Sequence, residues 1–373
     1  MTTSTQAPLI AIKQRRAQAA ALLLGAAFAL AAPPDADARQ PTRARTAAAS
    51  DATAAPRYTA ERTEVAAFIA EAADQHALDA DWLQAQLAGA RLQPSVQRFI
   101  MPPPAGTAKN WAAYRARFVE PVRIDAGVAF WRANEAWLEQ AEQRFGVPAK
   151  IIVGVIGVET IFGRHTGNFR VIDALATLAF DFPPGRKDRS AFFKEELAQL
   201  LVWCRREDIA PASVLGSYAG AIGLPQFMPS SINRQAVDFD GNGHIDLRGS
   251  AADAIGSVAN YLAAYGWKTG MPTHYAVKPP TDTRQRATLL APDIVPSFSA
   301  AQFTEAGAVL DEAGLRHAGP LALVELQHGD AAPSHVAGTE NFYVVTRYNW
   351  SSYYALAVIE LGEAVAAARG GRR

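Results

Sequence analysis

Apolar residues recur at helical spacing along most of the chain. From Thr59 onward, Val65, Ala66, Phe68, Ile69 and Ala72 fall on one face, the mark of a half-buried helix. The spacing returns over 126–145 with Val128, Phe130, Trp131, Trp137, Leu138 and Phe145, and Gly146 is a natural stop. Pro148 suits the first turn of the next helix, Ala149 to Phe162, which is apolar almost all round and so belongs in the core. Further helices are predicted at 189–206, 251–265 and 352–368. The region 280–345 breaks the pattern. It holds Pro279-Pro280 at its edge, short apolar runs (Ala287–Leu290, Leu321–Leu326) and a β-branched, aromatic stretch, Phe342–Tyr348, that reads as a strand. The expected fold is mainly α with a small α+β lobe.

The N-terminus follows another rule. Lys13, Arg15 and Arg16 precede an apolar stretch, Ala19 to Ala32, too short to cross a bilayer, and Ala36-Asp37-Ala38 offers a small-residue cleavage site. Residues 1–38 read as a secretory signal peptide and 39–58 as a flexible leader, with the folded domain expected over 59–373. No cysteine follows the apolar stretch to take a lipid anchor, so the expected destination is the periplasm. The 36 Lys and Arg balance 36 Asp and Glu, which argues against a nucleic-acid partner. One cysteine, Cys204, excludes an intrachain disulfide and a multi-cysteine zinc site.

Three segments carry candidate chemistry. Glu159 is the one acid in the greasy run Ile151–Thr160. Buried, its pKa would rise, and a glutamic acid protonated near neutrality can donate to a glycosidic oxygen. At the solvent-facing end of its helix it would do nothing chemical, and the pattern leaves both readings open. The run Gly216–Ser231 places glycines beside Ser217 and Gln226, allowing backbone to approach a ligand that the two side chains could hydrogen-bond. Asp238-Phe239-Asp240-Gly241-Asn242-Gly243-His244 matches the first positions of a calcium loop, with Asp238, Asp240 and Asn242 as oxygen donors and His244 offering its carbonyl. The twelfth position is Gly249 where a glutamate is expected, and Asp253 is the candidate replacement. Asp173 reads as a helix N-cap.

Six blocks in order resemble the lytic murein transglycosylase B family from about Tyr58 onward: Val155–Thr160, Asp173–Leu178, Gly216–Ser231, Ala236–Phe239, Asp253–Tyr261, and Asn341–Tyr343 with Thr346–Asn349. The resemblance implies a lysozyme-like helical core with an EF-hand-like loop beside a deep groove. It implies Glu159 as the single catalytic acid/base, and Ser217 and Gln226 as substrate contacts. Tyr114, Phe227, Tyr261, Tyr348, Asn349 and Tyr354 would line the groove. Asp238, Asp240, Asn242, His244 and Asp253 would hold a structural Ca2+, with no cofactor for catalysis. Of the basic run Arg186-Lys187-Asp188-Arg189, only Arg189 aligns with the family's groove cations. The implied partners are peptidoglycan glycan strands and proteins of cell-wall synthesis or remodelling, and the implied state is a monomer. The competing classes are a lysozyme-type hydrolase, which needs a second carboxylate and a water, and a non-catalytic glycan-binding protein.

Overall fold

The computed structural model describes residues 58–102 and 109–371. The signal segment 1–38 and the leader, apart from Tyr58, lie outside the described residues. Among these residues no helix is long and apolar enough to cross a membrane.

Helices α1 (Thr63–His76), α2 (Ala80–Ala88) and α3 (Pro94–Phe99) lead into α4 (Trp111–Ala116), α5 (Pro121–Ala133), α6 (Glu135–Phe145) and α7 (Ala149–Thr160). A two-residue strand, β1 (Phe169–Arg170), precedes α8 (Val171–Phe180) and α9 (Ser190–Arg206), and β2 (Leu215–Gly216) pairs back onto it. Then come α10 (Pro229–Gln235) and α11 (Ala251–Ala264). The small lobe follows: β3 (His274–Lys278), α12 (Thr283–Leu290), α13 (Ala300–Glu305), β4 (Val309–Leu310), α14 (Glu312–Leu315), β5 (Ala322–His328) and β6 (Ala331–Gly338). Helices α15 (Glu340–Thr346) and α16 (Ser352–Gly371) return to the main body.

The mainly helical expectation holds, with differences at three places. The predicted helix over 126–145 is two helices. Asn134 leaves helical geometry at φ −125° and its side-chain amide donates to the Phe130 carbonyl, breaking the run. The predicted strand over Phe342–Tyr348 is α15. Thr339 caps it by accepting from the Asn341 N–H, and the buried Phe342, Val344 and Val345 pack into the main core. Tertiary burial there overrides strand propensity. Asp173 is not the N-cap of α8, a position held by Arg170; it sits buried in the first turn and accepts from the Arg91 N–H and the Gln93 amide, tying down the chain before α3. The lobe is a four-stranded antiparallel sheet in the order β4-β3-β6-β5, with its own apolar cluster around Tyr275, Leu289, Phe303 and Leu323. It begins at β3, earlier than the sequence pattern suggested.

The packing of α7 on α16 decides where the site forms. A Cβ on Gly154 would meet the Val358 carbonyl oxygen at 2.1 Å, and one on Gly362 would meet the Lys150 carbonyl oxygen at 2.0 Å. Glycine at both positions lets the two backbones touch. Position 154 opposite 358 and 362 opposite 150 make the helices antiparallel. The same register brings the C-terminal end of α7, with Glu159, against the N-terminal end of α16, with Tyr354.

Candidate active site

Glu159 lies one residue before the end of α7 and is only partly exposed. Its neighbour Thr160 is fully buried and fixes the helix end: its hydroxyl donates to the Ile156 and Leu224 carbonyls and accepts from the Gly163 N–H. Ile161 and Phe162 then adopt φ of 51° and 56°, a left-handed turn that costs energy for such side chains.

Tyr354 donates its hydroxyl to Glu159 Oε1 at 2.6 Å. Burial pushes the Glu159 pKa up to about 7, and this hydrogen bond, which favours the ionised form, opposes it. Burial and the nearby Glu159 charge push the Tyr114 hydroxyl up to about 12, and the same two causes raise Tyr348 and Tyr354 well above the usual range. All three phenols stay protonated, and Tyr354 gives its proton to the carboxylate.

The Gly216–Ser231 segment forms the facing wall. Ser217 is buried, and its Oγ accepts the Ala219 and Ala221 N–H groups, which leaves its own proton for a ligand. Gln226 sits at φ 50° and its amide nitrogen donates to the Thr166 and Gly223 carbonyls, so its carbonyl oxygen is the group left to face the cleft. The cavity here is lined by Glu159, Ser217, Gln226, Tyr348 and Asn349, backed by Phe227 and Tyr261. Phe227 and Tyr261 are almost wholly buried and pack at a tilt against Tyr348, so they shape the wall rather than offer a face. The Tyr348 hydroxyl donates to the Pro225 carbonyl and that of Tyr261 to the Arg347 carbonyl, which locks both rings.

A second cavity shares Glu159 and is otherwise built from Arg117, Phe118, Arg123, Val158, Ile161 and His165. Sequence reasoning missed these residues. A signal existed for Arg123: it shares the buried stripe of α5 with Ala126 and Gly127, three and four positions on, where a surface cation does not belong. Neither cavity has a second carboxylate in its lining. Arg189 is not among the lining residues of either cavity; it sits at the start of α9 with its guanidinium over Phe192 and Phe193.

In the predicted cation loop, Asp238, Asp240 and Asp253 can each place one carboxylate oxygen within 4.8 Å of the others. Asp238 accepts the N–H groups of Gly241, Asn242 and Gly243, and Asn242 accepts that of His244, so the loop is wound around its own oxygens. Asp253 is fully buried and accepts from Phe239 and Asp246. A side chain at position 249 would meet Asp246 Oδ2 at 2.4 Å, so Asp246 occupies the space a twelfth-position acid would need. The donors suit a hard cation, yet they are fewer than the six to eight oxygens calcium takes.

A carboxyl group raised toward neutrality in an amide- and tyrosine-walled cleft has the chemistry to protonate a glycosidic oxygen. Residues 60–363 match the transglycosylase SLT domain. The chain is 40% identical over 310 residues to the membrane-bound lytic murein transglycosylase B of Escherichia coli K12, spanning 81% of this chain and 82% of that protein. The fold superposes on the catenated lytic transglycosylase SltB1 of Pseudomonas aeruginosa with a TM-score of 0.76 and 40% identity, covering 83% of this chain and 99% of that one. It superposes on the E. coli lytic transglycosylase Slt35, solved in complex with calcium, with a TM-score of 0.72 and 38% identity, covering 85% and 97%. The chain belongs to the transglycosylase SLT family and is an enzyme of the lytic murein transglycosylase class.

Proposed function

We propose that the enzyme cleaves the β-1,4 bond between N-acetylmuramic acid and N-acetylglucosamine without water, leaving a 1,6-anhydromuramyl end, with Glu159 as the single acid/base. The observation that carries this reading is a lone carboxylic acid, with a pKa of about 7, in a cleft whose lining holds no other acid. Ordinary glycosidases divide their work between two carboxylates. Here protonated Glu159 donates to the bridging oxygen, and C1 gains oxocarbenium character as that bond breaks. The resulting carboxylate, steadied by the Tyr354 hydroxyl, removes the proton of the muramyl C6 hydroxyl as its oxygen attacks C1. One proton is lent and returned, and no water is consumed. In this reading the Ser217 proton and the Gln226 carbonyl orient acetamido and hydroxyl groups, Tyr348 and Asn349 wall the sugar with Phe227 and Tyr261 behind them, Tyr354 holds Glu159, and Tyr114 meets the strand from the neighbouring cavity.

The substrate in this reading is the peptidoglycan strand, met in the periplasm after export. Calcium, held by Asp238, Asp240, Asn242 and the His244 carbonyl with Asp253 at its edge, would stiffen the loop and take no part in the chemistry. The test is Glu159→Gln, which is expected to abolish release of soluble muropeptides from purified sacculi while leaving the circular dichroism spectrum unchanged. A variant that keeps near wild-type turnover would sink the assignment.

A further inference from the structure

The second cavity, of about 220 Å³, is lined by a buried cation, Arg123, that makes no ion pair among the described residues. Arg123 is 4% exposed. Its Nη1 donates to the Arg117 carbonyl, its guanidinium lies 5.0 Å from the centre of the Phe118 ring, and its Nε has no hydrogen-bond partner. Glu120, which caps α5, uses its carboxylate on the backbone N–H groups of Val122 and Arg123, and its charge only partly offsets that of the Arg123 guanidinium. Burial lowers the Arg123 pKa, as expected where water is withdrawn from a charge, and the nearby acid Glu120 offsets this only in part.

Glu159 is the one acid in the cavity, and it makes no ion pair with Arg123 among the described residues. Burial and Tyr354 account for its acidity; the guanidinium is not a cause. A buried guanidinium with an unpartnered Nε, sharing a cavity with Glu159 yet not paired with it, suits a ligand that brings its own negative charge. Arginine's planar fork matches a carboxylate with two parallel hydrogen bonds.

We propose that this cavity takes a carboxylate of the muramyl substituent and that Arg123 is the residue that recognises it. The inference rests on the proposed function, because muramic acid carries a lactyl carboxylate that is either free or extended by an acidic peptide stem. Arg123 is then a specificity residue that sets which sugar lies across Glu159.

The test measures dissociation constants by calorimetry in the Glu159→Gln background, where strands bind without being cut. Three probes are compared: chitotetraose, which has no carboxylate; a stem-free N-acetylglucosamine–N-acetylmuramic acid tetrasaccharide; and the same tetrasaccharide with stems. Adding Arg123→Met is expected to weaken the carboxylate-bearing probes roughly tenfold or more relative to chitotetraose. Selective loss with both muramyl probes identifies the lactyl carboxylate as the ligand, and loss with the stem-bearing probe alone identifies a stem carboxylate. Arg123→Lys, which keeps the charge but not the fork, is expected to lose less and serves if the Met variant does not fold. Equal weakening of all three probes, or none, would overturn the inference, since Arg123 would then only brace the Arg117 turn. If the unmutated enzyme cleaves murein normally, that failure leaves the proposed function standing. An unmutated enzyme that releases no anhydromuramyl product overturns both.

Discussion

Replacing Tyr354 by phenylalanine tests the balance that sets Glu159. The ring stays, with its stacking on Tyr348 at 6.2 Å, and only the hydroxyl 2.6 Å from Glu159 Oε1 is lost. That hydroxyl favours the ionised carboxylate against burial. A hydrogen bond to a charged group is worth about 1.5–3 kcal/mol, and about 1.4 kcal/mol moves a titration by one pH unit. Water reaching the cleft compensates in part, so the low end applies, and the Glu159 midpoint should rise by about one pH unit from its value of about 7. The first step needs the protonated acid, so activity falls as pH rises through this midpoint. The alkaline limb of kcat/KM for muropeptide release should therefore move to higher pH in Tyr354→Phe. The rate on the plateau should fall as well, because the carboxylate formed mid-reaction loses its donor. An alkaline limb that stays in place, or moves to lower pH, would refute the reasoning.

Three further outcomes follow from the structure. Glu159 is protonated in the folded protein up to about pH 7 but ionises near 4.5 once unfolded, so it lowers stability as pH rises from 4.5 through 7. Urea unfolding should show Glu159→Gln gaining up to about 3 kcal/mol over wild type at pH 8, a gain that disappears at pH 4. Gly154→Ala drives a methyl to 2.1 Å from the Val358 carbonyl oxygen, and calorimetry should show a lower Tm from about 1–3 kcal/mol of overpacking. Calcium at about ten times its Kd should add about 1.4 kcal/mol of stability, abolished by Asp238→Ala, with turnover at moderate temperature unchanged.

What could be read ahead of the structure was local. The Glu159 run, the Gly216–Ser231 turn and the Asp238–His244 loop announce themselves within a few residues, because helix periodicity and turn chemistry are short-range. The partner of Glu159 could not be found that way. Tyr354 is 195 positions distant, and only the glycine-mediated register of α7 against α16 brings the two together. The same limit hid the second cavity, where Arg117 of the turn after α4 and Arg123 of α5 share a lining with Val158 and Glu159 of α7. Phe342–Val345 misled because β-branched and aromatic residues suit any buried surface, and a Thr339 cap with a buried Asn341 holding the Lys268 and Met271 backbone made that surface helical.

The central claim is that one carboxylate performs the whole reaction without water. Mass spectrometry of fragments released from purified peptidoglycan by the mature enzyme tests it most directly. The account predicts muropeptides one water lighter than their hydrolysed counterparts, ending in 1,6-anhydromuramic acid. Fragments with hydrated reducing ends would contradict it, because they would require an activated water and a second carboxylate that the lining around Glu159 does not provide.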